Sequence, residues 1–330
     1  MKSGEHAPAL PGLAEIESAA RRIAGHALRT PVIAYPALED ATGAARLYLK
    51  CEHRQRIGAF KARGALNAVW SLDDSEARRG VLTHSSGNHG AALAYAAHTR
   101  GIAAHVVMPR GSPQSKRRNV EQAGGIVHEC DPTQQAREAA AASLQSQTGG
   151  VFIHPYIDVR VIAGQGTVAL ELMDECGELD VLLTPVGGGG LAAGCAIAVQ
   201  ARQASMKLFA AEPEGAADTM ASLRAGRRTS DIQPDTICDG LRATIGEINF
   251  QCLRAHGTEV LLVSDEECKA EMREIHTQLG EVIEPSSATV LAALRRYPER
   301  FAGLRIGVVL TGGNVDRETW PWLAQGEFAQ

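Results

Sequence analysis

LLTPVGGGGLAAG, residues 182–194, runs from an apolar strand through four consecutive glycines into a helix of small residues. Each glycine loses more backbone freedom on folding than any other residue, so a run of four is costly unless bare backbone is needed there. A strand, a glycine turn and a helix N-terminus together suit a phosphate, whose charge meets free N–H groups and the positive end of the helix dipole. The chemistry turns on which phosphate that is.

Outward from this run, short apolar strands alternate with helices. LYLK (47–50), GVLTHSS (80–86), AAHVVMP (103–109), GIVHEC (125–130), VFIHP (151–155), LFAAEP (208–213) and RIGVVLTGG (305–313) read as strands, several running on into turns. LAEIESAARRIAGHA (13–27), ARGALNAVWSL (62–72), AALAYAAHT (91–99), TQQAREAAAASLQSQ (133–147) and GTVALELMDEC (166–176) read as helices. Alternation with short Gly/Pro loops predicts an α/β protein with mostly parallel twisted sheets flanked by helices, and function at the strand C-termini.

The 330 residues suggest roughly two domains. With 45% hydrophobic and 22% charged residues and a net charge of −5, the chain is globular and slightly acidic. No basic stripe suits nucleic acid. No apolar run is long enough to span a bilayer, and the N-terminal MKSGEHAPALPG lacks the apolar core of a secretory signal. The seven cysteines are scattered and never form C-x-x-C, which points to reduced thiols in a cytoplasmic protein and away from zinc.

The glycine run formally satisfies a dinucleotide fingerprint, Gly187-x-Gly189-x-x-Ala192, with Glu212 ending the next strand where a ribose partner would sit. A nicotinamide-dependent oxidoreductase is therefore one reading. Four glycines in a row satisfy almost any G-x-G pattern, however, and this reading leaves residues 50–90 unexplained.

Three further stretches bear on the choice. In QRIGAFKARGALNAV (55–69), Lys61 sits where a loop enters a helix, between Phe60 and small residues. Such a lysine is either a solvated side chain or a partly desolvated amine able to form a Schiff base. In THSSGNHGAALAYAA (83–97) a strand ends in hydroxyls, a glycine, an amide and a histidine before a helix. That is either an ordinary N-cap turn or a carboxylate site on a helix N-terminus. In VVLTGGNVD (308–316), Thr311 ends the last strand with a hydroxyl beside two glycines.

These segments together resemble the fold-type II pyridoxal-phosphate enzymes, in the branch of serine/threonine dehydratases and serine racemases. The family's marks are S-F-K-x-R-G-A, S-S-G-N-H-G, G-G-G-G-L and S/T-G-G-N. Here they stand as A-F-K-A-R-G-A (59–65), S-S-G-N-H-G (85–90), G-G-G-G-L (187–191) and T-G-G-N (311–314), in the same order. The resemblance implies a two-domain, tryptophan synthase beta-like fold. Residues 1–78 and 151–330 would form a large cofactor-binding domain, and 79–150 a small mobile one. It also implies a homodimer.

Carried over, Lys61 holds the cofactor, Phe60 packs near its ring and Asn88 bonds its phenolic oxygen. Gly187, Gly188, Gly189, Gly190 and Leu191 cradle the phosphate, and Thr311 faces the ring nitrogen. Ser85, Ser86, Gly87, Asn88 and His89 collect the substrate carboxylate. Ala59 replaces the usual serine before Phe-Lys, and Thr311 keeps the hydroxyl of the usual serine.

A hydroxyl rather than a carboxylate at the ring nitrogen gives a weaker electron sink. That favours α-deprotonation followed by quick loss of a β-substituent. The expected activity is α,β-elimination from a β-hydroxy amino acid such as L-serine, L-threonine or 3-hydroxyaspartate, with Lys61 as general base, giving a 2-oxo acid and ammonia. Ser86 occupies the position serine racemases use for a second acid/base, so an amino-acid racemase is the alternative. A catalytically inactive ligand-binding relative is disfavoured by the intact Lys61.

Glu212, the carbonyl of Ala216 and Asp218 match the spacing at which this branch binds Mg²⁺ or Ca²⁺. Arg137 matches a position near the substrate in racemase-like relatives. It is either a solvated helix residue or a guanidinium for a distal carboxylate, in which case 3-hydroxyaspartate is a substrate. With 16 residues after Asn314, no appended regulatory domain or end-product feedback is expected.

Overall fold

The computed structural model describes residues 10–85 and 87–324. Its strands are β1 (Val32–Ala34), β2 (Arg46–Cys51), β3 (Val81–His84), β4 (Ala104–Pro109), β5 (Ile126–Cys130), β6 (Val151–Phe152), β7 (Val181–Pro185), β8 (Lys207–Pro213), β9 (Glu259–Val263) and β10 (Arg305–Leu310). They form two sheets, ordered β1-β2-β10-β7-β8-β9 and β5-β4-β3-β6. Every pairing is parallel except β1 with β2. The expected α/β architecture is therefore present.

The larger sheet is covered on both faces, and the period-two alternation of its central strands shows why. From β10, Ile306, Val308 and Leu310 enter one core and Val309 the other; from β7, Val181 and Leu183 enter the first and Leu182 the second. Each such side chain contributes about 1.5–3 kcal/mol when fully buried. Strands buried on both faces read as continuous apolar runs, as a parallel sheet under two helical layers requires. Among the described residues no helix is long and apolar enough to cross a membrane. All seven cysteines are free, and six of them are buried.

Three differences from the sequence reading have physical causes. The helix expected from Gly166 begins at Val159, capped by the Asp158 side chain, which accepts from the Arg160 N–H at 2.9 Å. Gly164 and Gly166 are close-approach positions inside it. A Cβ on Gly164 would lie 2.6 Å from the Arg63 carbonyl oxygen, and one on Gly166 2.8 Å from that of Gly194. The helices Asp265–Leu279 and Pro285–Arg296, absent from the sequence reading, cover the second core. Finally, β6 joins the smaller sheet just beyond residue 150.

The Lys61–Trp70 helix ties the two sheets together. Its Ala62, Ala65, Leu66 and Val69 share a core with Leu93, Ala96 and Val106 of the smaller unit. Its Arg63, fully buried, pairs with Glu52 at 2.8 Å and Glu171 at 2.7 Å, and Lys50 pairs with Glu171 at 2.7 Å. Two cations and two carboxylates thus compensate one another; removing one partner would strand a buried charge, at roughly 3–5 kcal/mol. The lysine segment is fixed at its base.

Candidate active site

The parallel strands place three of the motifs at their C-terminal ends, where ligands bind in open α/β sheets. β7 ends in the glycine run, β10 in Thr311-Gly312 and β3 in the Ser85 turn. The Lys61 loop is zipped directly onto the β10 turn. Phe60 N–H donates to Thr311 O and Gly313 N–H to Gly58 O, both at 3.0 Å, and Ala59 forms a bridge with Gly312. Ile57 in this loop is left-handed at φ +57°, a strained state for a β-branched residue. Asn314 secures it, donating from Nδ2 to Ile57 O at 2.8 Å and to Asn88 Oδ1 at 2.9 Å.

Lys61 is half-buried, with Nζ donating to Pro155 O at 3.2 Å and lying 5.0 Å from the Phe60 ring centroid. Burial lowers its pKa to about 8, against the opposing pull of the Glu284 carboxylate. An amine so placed is partly neutral near physiological pH and able to attack a carbonyl carbon.

The glycine run is held from behind, and its N–H groups are left free. A Cβ on Gly188 would lie 2.4 Å from the Tyr156 ring, and one on Gly187 2.8 Å from Leu241 Cα. Gly189 has φ +87° and caps the helix Gly190–Arg202 with no side-chain hydrogen bond. Asn249 Nδ2 fastens the loop, donating to Gly188 O at 2.6 Å and Tyr156 O at 2.9 Å. Among the described residues, the buried N–H groups of Gly187, Gly188 and Gly189 donate to no protein acceptor. Buried orphan donors at a helix N-terminus fit a phosphate. The residues needed for a phosphorylated aldehyde, an anion cradle and a depressed amine, are thus present.

The S-S-G-N-H-G turn opens the helix Asn88–Arg100. The backbone doubles back so tightly that a Cβ on Gly90 would lie 2.4 Å from Ser85 O. The N–H groups of Asn88 and His89 have no protein acceptor among the described residues. Ser86 lies outside the described residues. The His89 ring is buried in the wall with Nε2 3.3 Å from Ile153 O, and burial lowers its pKa to about 3. What it offers a ligand is its backbone N–H.

A second cluster faces this turn and was not visible in the sequence. His154 accepts from the Tyr156 and Ile157 N–H groups through Nδ1, at 3.4 and 3.3 Å, which leaves the proton on Nε2. Its ring meets Tyr156 edge-on at 4.6 Å and His84 at 5.8 Å. Burial lowers its pKa to about 4, with His84 and Lys61 adding to the effect; burial also lowers that of His84, and Arg137 adds to that shift. Arg137 is half-buried, interacts electrostatically with His84 and Tyr156, and among the described residues its enclosed Nε has no hydrogen-bond partner. Glu284, buried behind Asn88, was also missed. Its only sequence signal is an acid before proline at a helix start, which marks a cap rather than a site.

Glu212 is fully buried. Its carboxylate accepts from the Thr219 and Met220 N–H groups at 2.9 and 3.0 Å, and Asp218 Oδ2 accepts from the Ile245 N–H at 2.7 Å. Turned inward this way, Glu212 is no ribose partner, which removes the acid from the dinucleotide reading. Burial raises the two pKa values to about 8 and about 6, against the opposing backbone N–H donors and, at Asp218, the charge of Arg228. Among the described residues no three His, Cys, Asp or Glu side chains form a metal cluster. Any ion here would be held by two carboxylates and backbone oxygen.

Comparison with known proteins agrees with this geometry. A family model described as pyridoxal-phosphate dependent enzyme matches residues 23–312. The chain is 45% identical to a beta-hydroxyaspartate dehydratase of Paracoccus denitrificans (strain Pd 1222), over 95% of this chain and 99% of that protein. It is 41% identical to a serine racemase of Dictyostelium discoideum, over 92% and 95%. The structure of maize serine racemase superposes with a TM-score of 0.92 at 39% identity, covering 96% of this chain and 97% of that one. With its lysine, glycine cradle and strand-end turns in place, the chain belongs to the pyridoxal-phosphate-dependent enzymes, in the fold-type II branch that contains serine racemases and β-hydroxy amino acid dehydratases.

Proposed function

We propose that the protein dehydrates a β-hydroxy amino acid bearing a second carboxylate, 3-hydroxyaspartate, to a four-carbon 2-oxo acid and ammonia. The observation that carries this reading is Arg137, whose enclosed Nε has no partner among the described residues and which interacts electrostatically with His84 and Tyr156. An enclosed N–H donor without an acceptor is costly, and a substrate carboxylate relieves that cost with a charge-assisted bond. The likeness to a beta-hydroxyaspartate dehydratase points the same way.

Bound pyridoxal phosphate supplies an electron sink for the substrate's α-carbon. The glycine run and Leu191 hold its phosphate, Lys61 its aldehyde carbon, Phe60 and Asn88 its ring, and Thr311 its ring nitrogen. The free N–H groups at Asn88 and His89, with Ser85 and Gly87, receive the α-carboxylate. Lys61 Nζ would take the α-proton and give it up again as the β-hydroxyl departs, so that H and OH leave together as one water; the released enamine then adds water to give oxo acid and ammonia.

Closure of the smaller unit, which carries Arg137 and the Ser85 turn, would exclude water from this chemistry. Glu212, Asp218 and the Ala216 carbonyl would hold Mg²⁺ or Ca²⁺ as a structural ion. A cation at one hundred times its Kd adds about 2.7 kcal/mol of stability, so added Ca²⁺ should raise Tm and the Asp218→Asn variant should lose that rise. The resemblance also implies a homodimer, which sedimentation of the holoenzyme tests. Seven free thiols suit a reducing compartment such as the cytoplasm.

The deciding experiment assays 2-oxo acid release from 3-hydroxyaspartate, L-serine and L-threonine. Preference for hydroxyaspartate supports the reading; a preference for serine or threonine moves Arg137 out of substrate recognition. Similarity to serine racemases supports a second reading, racemisation through Ser86. Formation of D-amino acid without oxo acid would establish it.

A further inference from the structure

Behind the amide of Asn88 lies a carboxylate that the chemistry above does not use. Glu284 is 5% exposed, and among the described residues no Lys or Arg side chain is within ion-pair distance of it. Its backbone N–H donates to Gly312 O at 2.9 Å, and a Cβ on Gly312 would lie 2.7 Å from its carboxylate. The side chain is therefore wedged beneath the T-G-G-N turn. Asn88 Nδ2 donates to its two oxygens at 3.0 and 3.2 Å.

This arrangement settles which way the Asn88 amide points. An asparagine amide has two nearly isosteric orientations, and its bonding partners decide between them. At one end of the network stands the Ile57 carbonyl, which can only accept. It therefore takes Asn314 Nδ2, which also donates to Asn88 Oδ1. At the other end stands the Glu284 carboxylate, which accepts when ionised. Flipping Asn88 would set donor against donor at Asn314 and, whenever Glu284 is ionised, acceptor against acceptor there; burial raises the Glu284 pKa to about 7, so the Asn314 end decides on its own. One hydrogen of Asn88 Nδ2 is shared between the Glu284 oxygens, and the second is left for a ligand.

We propose that Glu284 is a positioning residue for the cofactor: with Asn314 it holds the Asn88 amide so that an N–H, and not the carbonyl, meets the phenolic oxygen of pyridoxal phosphate. An N–H there favours the ionised phenolic oxygen, which absorbs at longer wavelength than the protonated form. A carbonyl there would favour the protonated form and weaken binding. The inference rests on Asn88 meeting the cofactor, not on which amino acid is dehydrated. It also explains why one asparagine ends the T-G-G-N turn: Asn314 links the lysine loop, the β10 turn and Asn88.

The test reconstitutes ligand-free protein with pyridoxal phosphate and reads cofactor affinity and the position of the visible band. Glu284→Gln keeps an acceptor for Asn88 and should hold affinity within about threefold with the band in place. Glu284→Ala should weaken affinity by roughly tenfold and move absorbance to shorter wavelength, since the acceptor that holds the Asn88 amide is lost. Asn314→Ala should move the band the same way, and it stands in if Glu284→Ala fails to fold. Unchanged spectrum and affinity in the alanine variants would overturn the proposal. So would a glutamine variant as impaired as alanine, which would make charge rather than amide orientation the cause. If the spectra behave as expected but hydroxyaspartate is not dehydrated, only the substrate reading fails. If oxo acid forms and the spectra never move, only this inference fails.

Discussion

On the proposed reading, the cofactor half of the site and its substrate half are built from different materials. Around the glycine run, binding groups are backbone N–H donors, fixed because each glycine is pressed against Tyr156, Leu241, Ile245 or Asn249. Beyond it, the wall made by His84, Arg137 and His154 consists of side chains, two of them with pKa values lowered by burial. Backbone donors cannot change without refolding the loop, whereas side chains change one at a time. One half can thus stay constant while the other sets specificity. Damage to the first should affect every substrate alike, and damage to the second should separate one substrate from another.

Lys61 gives the largest expected effect. In its proposed roles Lys61 is both the amine that holds the cofactor and the base, so Lys61→Ala removes both, and loss of a base alone costs roughly 10²–10⁴-fold. Oxo acid release should fall by at least that factor with every amino acid. A variant that loses activity toward only one substrate would break the division between halves.

Gly188→Val probes the same half through packing. Its side chain would enter the space of the Tyr156 ring, 2.4 Å from where Cβ begins, and overpacking of this kind costs about 1–3 kcal/mol. Cofactor affinity measured by fluorescence titration should fall about tenfold to a hundredfold, with substrate preference unchanged. Altered preference would show that Tyr156, displaced by the valine, belongs equally to the substrate half.

This contrast also explains what the sequence made legible. The cofactor half is local: Lys61, the glycine run and Thr311 each lie in a contiguous segment whose residue types state their geometry, and so does the turn that opens the Asn88 helix in the substrate half. The long strands and the Lys61 helix were legible for the same reason, since periodicity is a local signal. Glu284, His154 and Tyr156 act through neighbours far along the chain, and no spacing rule links Asn88 to Glu284 or Gly188 to Tyr156. Arg137 was visible as a residue but not as a direction, because a helix carrying polar residues all round does not say which face is covered. The helix start at Val159 was hidden because Gly164 and Gly166 serve packing against Arg63 and Gly194.

Arg137→Gln sharpens the substrate half. A bond to a charged group contributes about 1.5–3 kcal/mol, so kcat/KM for 3-hydroxyaspartate should drop roughly tenfold to a hundredfold. The value for L-serine, which has no distal carboxylate, should change by less than about threefold. Equal losses on both substrates would mean that Arg137 supports the wall instead of reading the substrate.

Lys61 touches both halves, since Nζ bonds to Pro155 O beside His154 and Tyr156 while its helix is anchored by Arg63. Burial lowers its pKa to about 8, so below that pH the amine is mostly protonated and cannot attack an aldehyde. The rate at which ligand-free protein captures pyridoxal phosphate should therefore rise about tenfold per pH unit up to about 8 and then level off. The nearby Glu284 carboxylate opposes the shift, so Glu284→Gln should move the bend to lower pH. Asp239, Lys116 and Asn88 also face Glu284, and none of the three is altered in that variant. A bend near the ordinary lysine value of about 10.4 would mean that the amine is solvated before the cofactor arrives. The enclosure around Lys61 would then be made by cofactor binding, and the cofactor half would be less preformed than its glycine run.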